Sequence, residues 1–259
     1  MFFSDVRSFM TFRDRRFVRE NLKVIFPGKS EKEIRRLQIN MFRNFAKYLV
    51  DFFRFGKIEK STLGRDIRVE NSHYLDEAFA KGKGVIILSA HIGNWELGGV
   101  TVSLLGYPIW VVALPHKYKK VDNFFNRQRE SKGVKVIPLT RAVRAFLDVL
   151  KKNEGLALVG DRDFTQDGII LPFFGKPSVF PKGPAVFSLR TGAPIVPAFM
   201  LRNEDDTFTL RMEPPLTVVS CGDKEKDVAE IIKSYIKIFE GYITRYPDQW
   251  FMFRRFWVE

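Results

Sequence analysis

The sequence predicts an α/β protein, with a largely parallel central sheet flanked by helices and a helical segment ahead of it. Three observations predict this. From about residue 65, short apolar runs of strand length alternate with longer stretches of helical period. In the run Gly84-Val85-Ile86-Ile87-Leu88-Ser89 the apolar residues are continuous, as in a strand covered on both faces. The first sixty residues, by contrast, carry the helical period alone. We divide the chain into an N-terminal helical segment, residues 1–60, and an α/β region, residues 61–259, integrated into one domain.

The elements follow in order. Phe2 to Leu22 is basic and rich in Phe, with Phe2, Phe3, Phe9, Phe12 and Phe17 set among Arg7, Arg13, Arg15, Arg16 and Arg19. It reads either as a surface helix or as a helix lying in a membrane plane, apolar side inward and arginines on phosphates. Pro27-Gly28 breaks the chain, and Ser30-Glu31-Lys32-Glu33 is a capping box. The helix it opens carries Ile34, Leu37, Met41, Phe45, Tyr48, Leu49 and Phe52 at spacings of three and four and stops near Gly56. Leu75 to Ala80 is a helix, 84–89 a strand, and another helix starts near Asn94. Strands at Ile109–Leu114, Val134–Leu139 and Leu156–Val159 alternate with helices at Val121–Ser131 and from a Thr140 cap to Lys152. Residues 160–182 read as one long loop, rich in Gly, Pro and Phe. A helix at Ala185–Arg190 closes at Thr191-Gly192; strands at Ile195–Leu201 and Thr207–Glu213 follow, then a helix from Val228 to Tyr246. The alternation from Trp250 to Trp257 fits a packed strand or an aromatic-basic membrane edge.

Composition narrows the function. Lys plus Arg number 43 against 30 Asp plus Glu, a net charge of +13, which points to an anionic partner. With no nucleic-acid motif and 26 Phe, an anionic membrane surface fits better than nucleic acid. Cys221 is the single cysteine, which excludes an intrachain disulfide and a Cys-rich zinc site. The chain starts with no signal-peptide pattern. The uncharged run from Leu97 to Pro115 has the length of a membrane span, but Gly98, Gly99, Gly106 and Pro108 interrupt it, and Tyr107-Pro108 reads as a turn between helix and strand.

The chemistry centres on His91-Ile92-Gly93-Asn94-Trp95-Glu96, just past the strand that ends at Ser89; sites in open α/β sheets gather at the carboxyl ends of strands. Five positions apart on one helix, His91 and Glu96 would point about 140° apart. They meet if His91 lies in the turn before the helix and Glu96 in its first turn, with Gly93 as the pliable link and Asn94 as cap. Glu96 then holds one imidazole nitrogen and leaves the other for substrate, the base-plus-orienter half of a triad. No Ser or Cys nucleophile is needed if an acceptor hydroxyl attacks a thioester directly, a task for a base with a reference pKa of ~6.5.

Other motifs stand around this one in a fixed order: Arg15-Arg16, Asn21-Leu22, Phe26-Pro27, Asn126-Arg127-Gln128-Arg129, Gly133, Val136-Ile137-Pro138, Asp161-Arg162-Asp163, Pro172-Phe173-Phe174-Gly175, Pro184-Ala185, Arg190-Thr191-Gly192-Ala193-Pro194-Ile195-Val196-Pro197, Pro247-Asp248-Gln249-Trp250 and Arg254-Arg255-Phe256. With His91 and Glu96 they make the chain resemble, over nearly its whole length, the late (lauroyl/myristoyl) acyltransferases of lipid A biosynthesis and relatives that acylate phosphatidylinositol mannosides. These belong to the His-x4-Asp/Glu glycerolipid and lysophospholipid acyltransferase superfamily. The resemblance implies a glycerolipid acyltransferase-like fold, His91 as general base and Glu96 as its partner. It also implies roles for an Arg in 126–129 and an Asp in 161–163, for which we favour Arg129 and Asp161.

The candidate substrate-binding residues are Asn94, Arg127, Arg129, Asp161, Asp163, Phe173, Phe174 and Lys182. A guanidinium suits phosphate or a developing oxyanion, and a loop as long as 160–182 in a compact domain is usually functional, here framing the acyl-chain or acceptor pocket. The expected reaction is O-acyl transfer from acyl carrier protein or coenzyme A thioester to a hydroxyl of a membrane (glyco)lipid. It needs no covalent acyl-enzyme, metal or bound cofactor. Its expected place is the cytoplasmic face of the bacterial inner membrane, on a membrane-proximal N-terminal segment. Members of the family usually carry an apolar N-terminal membrane segment, whereas this sequence offers only the short Phe/Arg one; either the protein docks peripherally or is weakly anchored, or the sequence lacks a segment that the native chain carries. The alternatives are a lysophospholipid or glycerophosphate acyltransferase, a thioesterase with water as acceptor, and a non-catalytic basic protein binding lipid or nucleic acid.

Overall fold

The computed structural model describes residues 12–113, 118–138, 142–217 and 221–258. Two helices lead: α1 (Phe12–Ile25) and α2 (Glu31–Phe53). The Ser30 capping box forms as the spacing predicts. Glu33 accepts from the Ser30 backbone N–H at 2.9 Å, and the Ser30 hydroxyl accepts from the Glu33 N–H at 3.4 Å. The α/β region then runs β1 (Ile67–Glu70), α3 (His73–Phe79), β2 (Val85–Ser89), α4 (Trp95–Leu104), β3 (Ile109–Ala113), α5 (Lys119–Glu130), β4 (Lys135–Pro138), α6 (Ala142–Lys151) and β5 (Gly155–Val159). It ends with β6 (Ile169–Phe173), β7 (Lys176–Phe180), α7 (Gly183–Thr191), β8 (Ile195–Arg202), β9 (Phe208–Met212) and α8 (Lys224–Arg245). The Thr140 cap lies outside the described residues.

Seven strands form one sheet in the order β1-β9-β8-β2-β5-β3-β4. The five from β8 to β4 are mutually parallel; β9 runs antiparallel to β8 and carries β1 parallel to itself. This is the α/β fold the sequence predicts, extended by the short edge strand β1 that the sequence reading missed. β2 lies at the middle and is buried from Val85 to Leu88, which explains its unbroken apolar run. Apolar layers cover both faces. One holds Leu97, Val100 and Val102 of α4 against Ile87, Val196 and Met200. The other holds Phe146 of α6, Phe187 of α7 and Ile232, Tyr235 and Phe239 of α8 against Ile86, Leu88 and Leu156. Of the uncharged run from Leu97 to Pro115, the described part up to Ala113 supplies most of α4, a turn and β3, and no helix among the described residues is long and apolar enough to cross a membrane.

Two expectations need correction. Residues 160–182 are not one loop: β6 and β7 pair antiparallel as a hairpin, turning at Phe174 (φ 47°) and Gly175 (φ 76°). Its facing prolines, Pro172 and Pro177, disguised the ladder. Nor is 250–257 a strand or a lipid-facing edge. It makes only isolated bridges, Ile92 to Trp250 and Ser178 to Trp257, and Trp250, Phe251, Phe253 and Trp257 are buried in the protein. Of the Phe/Arg segment, residues 1–11 lie outside the description. From Phe12 on it is a helix on the protein surface, with Val18, Leu22 and Ile25 packed inward, Phe12 exposed, and the Asn21 amide donating to the carbonyls of Met252 (3.2 Å) and Arg254 (2.8 Å).

The link between β2 and α4 is wedged against β8. Gly93 has φ +62°, its N–H donates to the Gln249 carbonyl at 2.8 Å, and the next N–H, of Asn94, donates to the Met200 carbonyl at 2.8 Å. A Cβ on Gly93 would lie 1.9 Å from that Met200 oxygen. Gly93→Ala is therefore expected to cost at least about 1–3 kcal/mol from backbone strain alone. Urea titration checks this, and an unchanged midpoint would contradict the geometry.

Candidate active site

The register of two strands builds the centre. β2 and β5 are neighbours, with Ser89 opposite Val159. Two residues beyond each, His91 and Asp161 emerge side by side at the carboxyl edge of the sheet. Gly160 lets the strands close up there, donating its N–H to the Ser89 carbonyl at 2.8 Å. A Cβ on Gly160 would approach Leu88 Cδ1 to 2.9 Å. His91 Nδ1 lies 2.5 Å from Asp161 Oδ1, and the His91 backbone N–H donates to Asp161 Oδ2 at 3.0 Å. A third donor, the Trp250 indole Nε1–H, reaches the same Oδ2 at 3.0 Å.

Burial governs both members of the pair. It opposes the charged imidazole and pulls the His91 pKa below its ordinary value; Arg162 and Arg254 add to this, while Asp161 works the other way. Burial also works to raise the Asp161 pKa, but His91 and Arg162 outweigh it and hold the carboxyl well below the usual carboxylate range. The pair is thus a carboxylate facing a neutral imidazole, which donates from Nδ1 and keeps Nε2 as a free base.

Glu96 does not hold the imidazole. It sits in the first turn of α4 with His91 in the preceding turn, as expected, but its carboxylate turns the other way. Arg129 of α5 grips it in a bidentate fork, Nε to Oε2 at 2.8 Å and Nη2 to Oε1 at 2.6 Å, and also donates to Asn126 Oδ1 at 3.0 Å. The position beside Nδ1 is already occupied by Asp161, fixed there by strand register. Arg129 is buried between Phe52 and Phe125, its guanidinium carbon 5.9 Å and 5.8 Å from their ring centres. Burial alone would lower its pKa, and Glu96 more than offsets this.

His91, Trp95, Glu96, Arg129 and Arg162 line one cavity of about 610 Å³. Its lining draws on both apolar layers, and we term its two sides lobes: the α4 lobe is lined by Ile87, Val102, Val111, Ala157 and Met200 with Gly98 and Gly99, and the other by Val143 and Phe146 of α6 with Val186 and Phe187 of α7. Val143, Phe164 and Val186 are exposed at its rim. Arg162, absent from the sequence-derived set, donates through Nη2 to the Phe251 carbonyl, while its buried Nε has no hydrogen-bond partner among the described residues. Burial lowers its pKa, against the pull of Asp161.

The remaining candidates divide. Lys182 lines the cavity and pairs with Asp167 at 3.0 Å. Asp163 lines it too, but its carboxylate accepts from Thr165 and Gly168 and folds the loop. Asn94 is buried away from the cavity: its Oδ1 caps α4 through the Leu97 N–H (3.0 Å), and its Nδ2 donates to Asp51 Oδ2 at 3.2 Å. Arg127 is exposed on the outer side of α5. Phe173 is fully buried against Trp250, Phe256 and Trp257, and Phe174 forms the hairpin turn. None of Asn94, Arg127, Phe173 and Phe174 lines this cavity: Asn94 serves as a cap, Phe173 and Phe174 pack in the core, which is the other reading their sequence allows, and Arg127 is exposed on α5. Among the described residues no group of three or more His, Cys, Asp or Glu stands in metal-binding array.

The Glu96–Arg129 pair is 14% and 10% exposed, so removing one partner strands a nearly buried charge. Glu96→Ala is expected to destabilise the fold by about 3–5 kcal/mol, and Glu96→Ala with Arg129→Met to recover part of that. Denaturant midpoints of the two variants check it; a double variant no more stable than the single would speak against a buried ion pair.

Comparison with known proteins agrees with this architecture. The family model described as bacterial lipid A biosynthesis acyltransferase matches residues 4–259. A phosphatidylinositol mannoside acyltransferase of Mycolicibacterium smegmatis is 30% identical over 219 residues, spanning 83% of this chain and 70% of that protein. The lipid A biosynthesis palmitoleoyltransferase of Escherichia coli is 26% identical over 240 residues (92% and 76%), and the lauroyltransferase of the same organism 23% over 251 (94% and 79%). With a match over nearly its full length, and an α/β sheet whose His91 motif opens onto an apolar cavity, the chain belongs to the bacterial lipid A biosynthesis acyltransferase family.

Proposed function

We propose that this acyltransferase moves a fatty acyl group from an acyl carrier protein or coenzyme A thioester to a hydroxyl of a glycolipid, with His91 as general base and Asp161, not Glu96, orienting it. The observation that carries the reading is the buried His91–Asp161 pair set at an apolar cavity. His91 Nε2 takes the acceptor's hydroxyl proton as the oxygen attacks the thioester carbonyl. The tetrahedral oxyanion collapses with cleavage of the C–S bond, and the departing sulfur recovers the proton from Nε2. No acyl-enzyme forms and no cofactor takes part. Arg162, with its buried Nε unpartnered, suits the oxyanion or an acceptor phosphate. Arg129, largely engaged by Glu96 and Asn126, braces α5 against α4.

The lobe under α4 suits the donor's acyl chain, being apolar throughout and as narrow as Gly98 and Gly99 allow. The lobe between α6 and α7, with Lys182 and exposed Phe164 at its rim, suits the acceptor. The rim's apolar residues beside basic ones fit peripheral contact with an anionic membrane, which in this reading is the cytoplasmic face of the inner membrane.

Purified protein in detergent, given acyl-coenzyme A or acyl carrier protein and a lipid extract as acceptor, is expected to produce acylated lipid. His91→Ala should abolish that product, and Asp161→Asn should reduce turnover on the order of 10²- to 10⁴-fold. Only neutral His91 can accept the proton. With its pKa depressed, activity is complete at neutral pH and is lost as pH falls through a midpoint below ~6.5. Full transfer by His91→Ala would end this reading, and free fatty acid without acylated lipid would favour a thioesterase.

The acyl lobe carries its own expectation. Gly98 faces Met200, where a new Cβ would sit 3.4 Å from the Met200 Cβ, so Gly98→Val should narrow the lobe and favour shorter chains. Each methylene kept out costs about 0.8 kcal/mol, roughly four-fold in kcat/KM. A donor series of C10 to C16 thioesters measures the shift; an unaltered chain-length profile would place the acyl chain elsewhere.

A further inference from the structure

We infer that Trp250 is a positioning residue of the active site: its indole N–H fixes which oxygen of Asp161 faces the imidazole. Asp161 has two oxygens and a single torsion that exchanges them. Oδ1 serves His91 Nδ1 at 2.5 Å. Oδ2 takes two donors, the His91 backbone N–H and Trp250 Nε1–H, each at 3.0 Å. Turning the carboxylate would break both bonds to Oδ2, so Oδ1 stays on the ring nitrogen. Two of the three donors come from His91 itself, so the indole is the donor that ties the Asp161 carboxylate to another part of the fold.

The indole is itself immobile. Trp250 is fully buried, with ring centres 5.2 Å from Phe256, 6.0 Å from Phe173 and 6.5 Å from Trp257. Its backbone bridges Ile92, and its neighbours hold the same loop: the Gln249 carbonyl accepts from Gly93 and the Phe251 N–H donates to the His91 carbonyl, both at 2.8 Å. One short segment thus grips the histidine's backbone and the aspartate's side chain together. The charged groups near His91 are Asp161 on its β5 side, Arg162 beside that, and Arg254 from the same downstream segment; Trp95, edge-on at 4.9 Å, carries no charge.

The inference rests on the His91–Asp161 pair acting in transfer, and its test has one arm that needs no turnover. Trp250→Phe keeps most of the ring and deletes the N–H. We expect kcat to fall about 10- to 100-fold, with KM for the donor within about two-fold. The acid limb should move upward, because a carboxylate relieved of one donor holds the imidazolium more tightly. A merely structural residue would lower the yield of folded protein and leave kcat per folded molecule and the acid limb in place; that result, or wild-type kcat, overturns the inference. In the wild-type protein labelled with ¹⁵N-tryptophan, the indole resonance that persists in Trp95→Phe, Trp110→Phe and Trp257→Phe alike is that of Trp250, and it should titrate with the same midpoint as the His91 ring. This arm decides the matter if the variant does not fold, and an indole signal indifferent to that titration overturns the inference even where His91→Ala abolishes transfer.

Discussion

The site depends on one backbone relationship, the in-register parallel pairing of β2 with β5. Ser89 lies opposite Val159, and the His91–Asp161 pair follows two residues on. Because the strands are parallel and adjacent, their carboxyl ends open on the same edge, and His91 and Asp161 leave them together. The strand ladder between β2 and β5, with Ile87 packed toward α4 and Ile86 and Leu88 toward α8, therefore also sets the distance between imidazole and carboxylate.

Burial then gives the pair its character. A histidine out of water is easier to keep neutral, and a carboxylate out of water survives only with donors. Asp161 has three, and its neighbour Arg162 adds positive charge. The Glu96–Arg129 fork meets the same constraint separately, each charge answering the other behind Phe52 and Phe125. Of the two carboxylates, Asp161 reaches the imidazole and Glu96 faces Arg129 instead.

Much of this was legible in the sequence. The unbroken run Val85–Leu88 marked the central strand, Ser30 to Glu33 the start of α2, and the turn after Ser89 the place of the base. Asp161 and Arg129 were singled out with it. What could not be read was strand order. β5 slips between β2 and β3, so the residue beside His91 is one 70 positions away rather than one five positions away. Glu96 was chosen by nearness along the chain, which strand pairing overrides. The same blindness hid Trp250, 89 residues from Asp161, and made a hairpin look like a loop because Pro172 and Pro177 face each other across it. Asn94, Phe173 and Phe174 carry polar or aromatic groups that the fold itself consumes.

The wedge at Gly93 has a bearing on when the enzyme comes into being. The carbonyls that receive it and its successor belong to Gln249 and Met200, more than a hundred residues downstream. A ribosome that has already delivered His91, Glu96, Arg129 and Asp161 has yet to deliver the turn that seats the histidine's loop. Contacts of such long sequence separation form late. The nascent chain thus carries His91 and Asp161 before the segment around residue 250 has arrived to hold their loop in place.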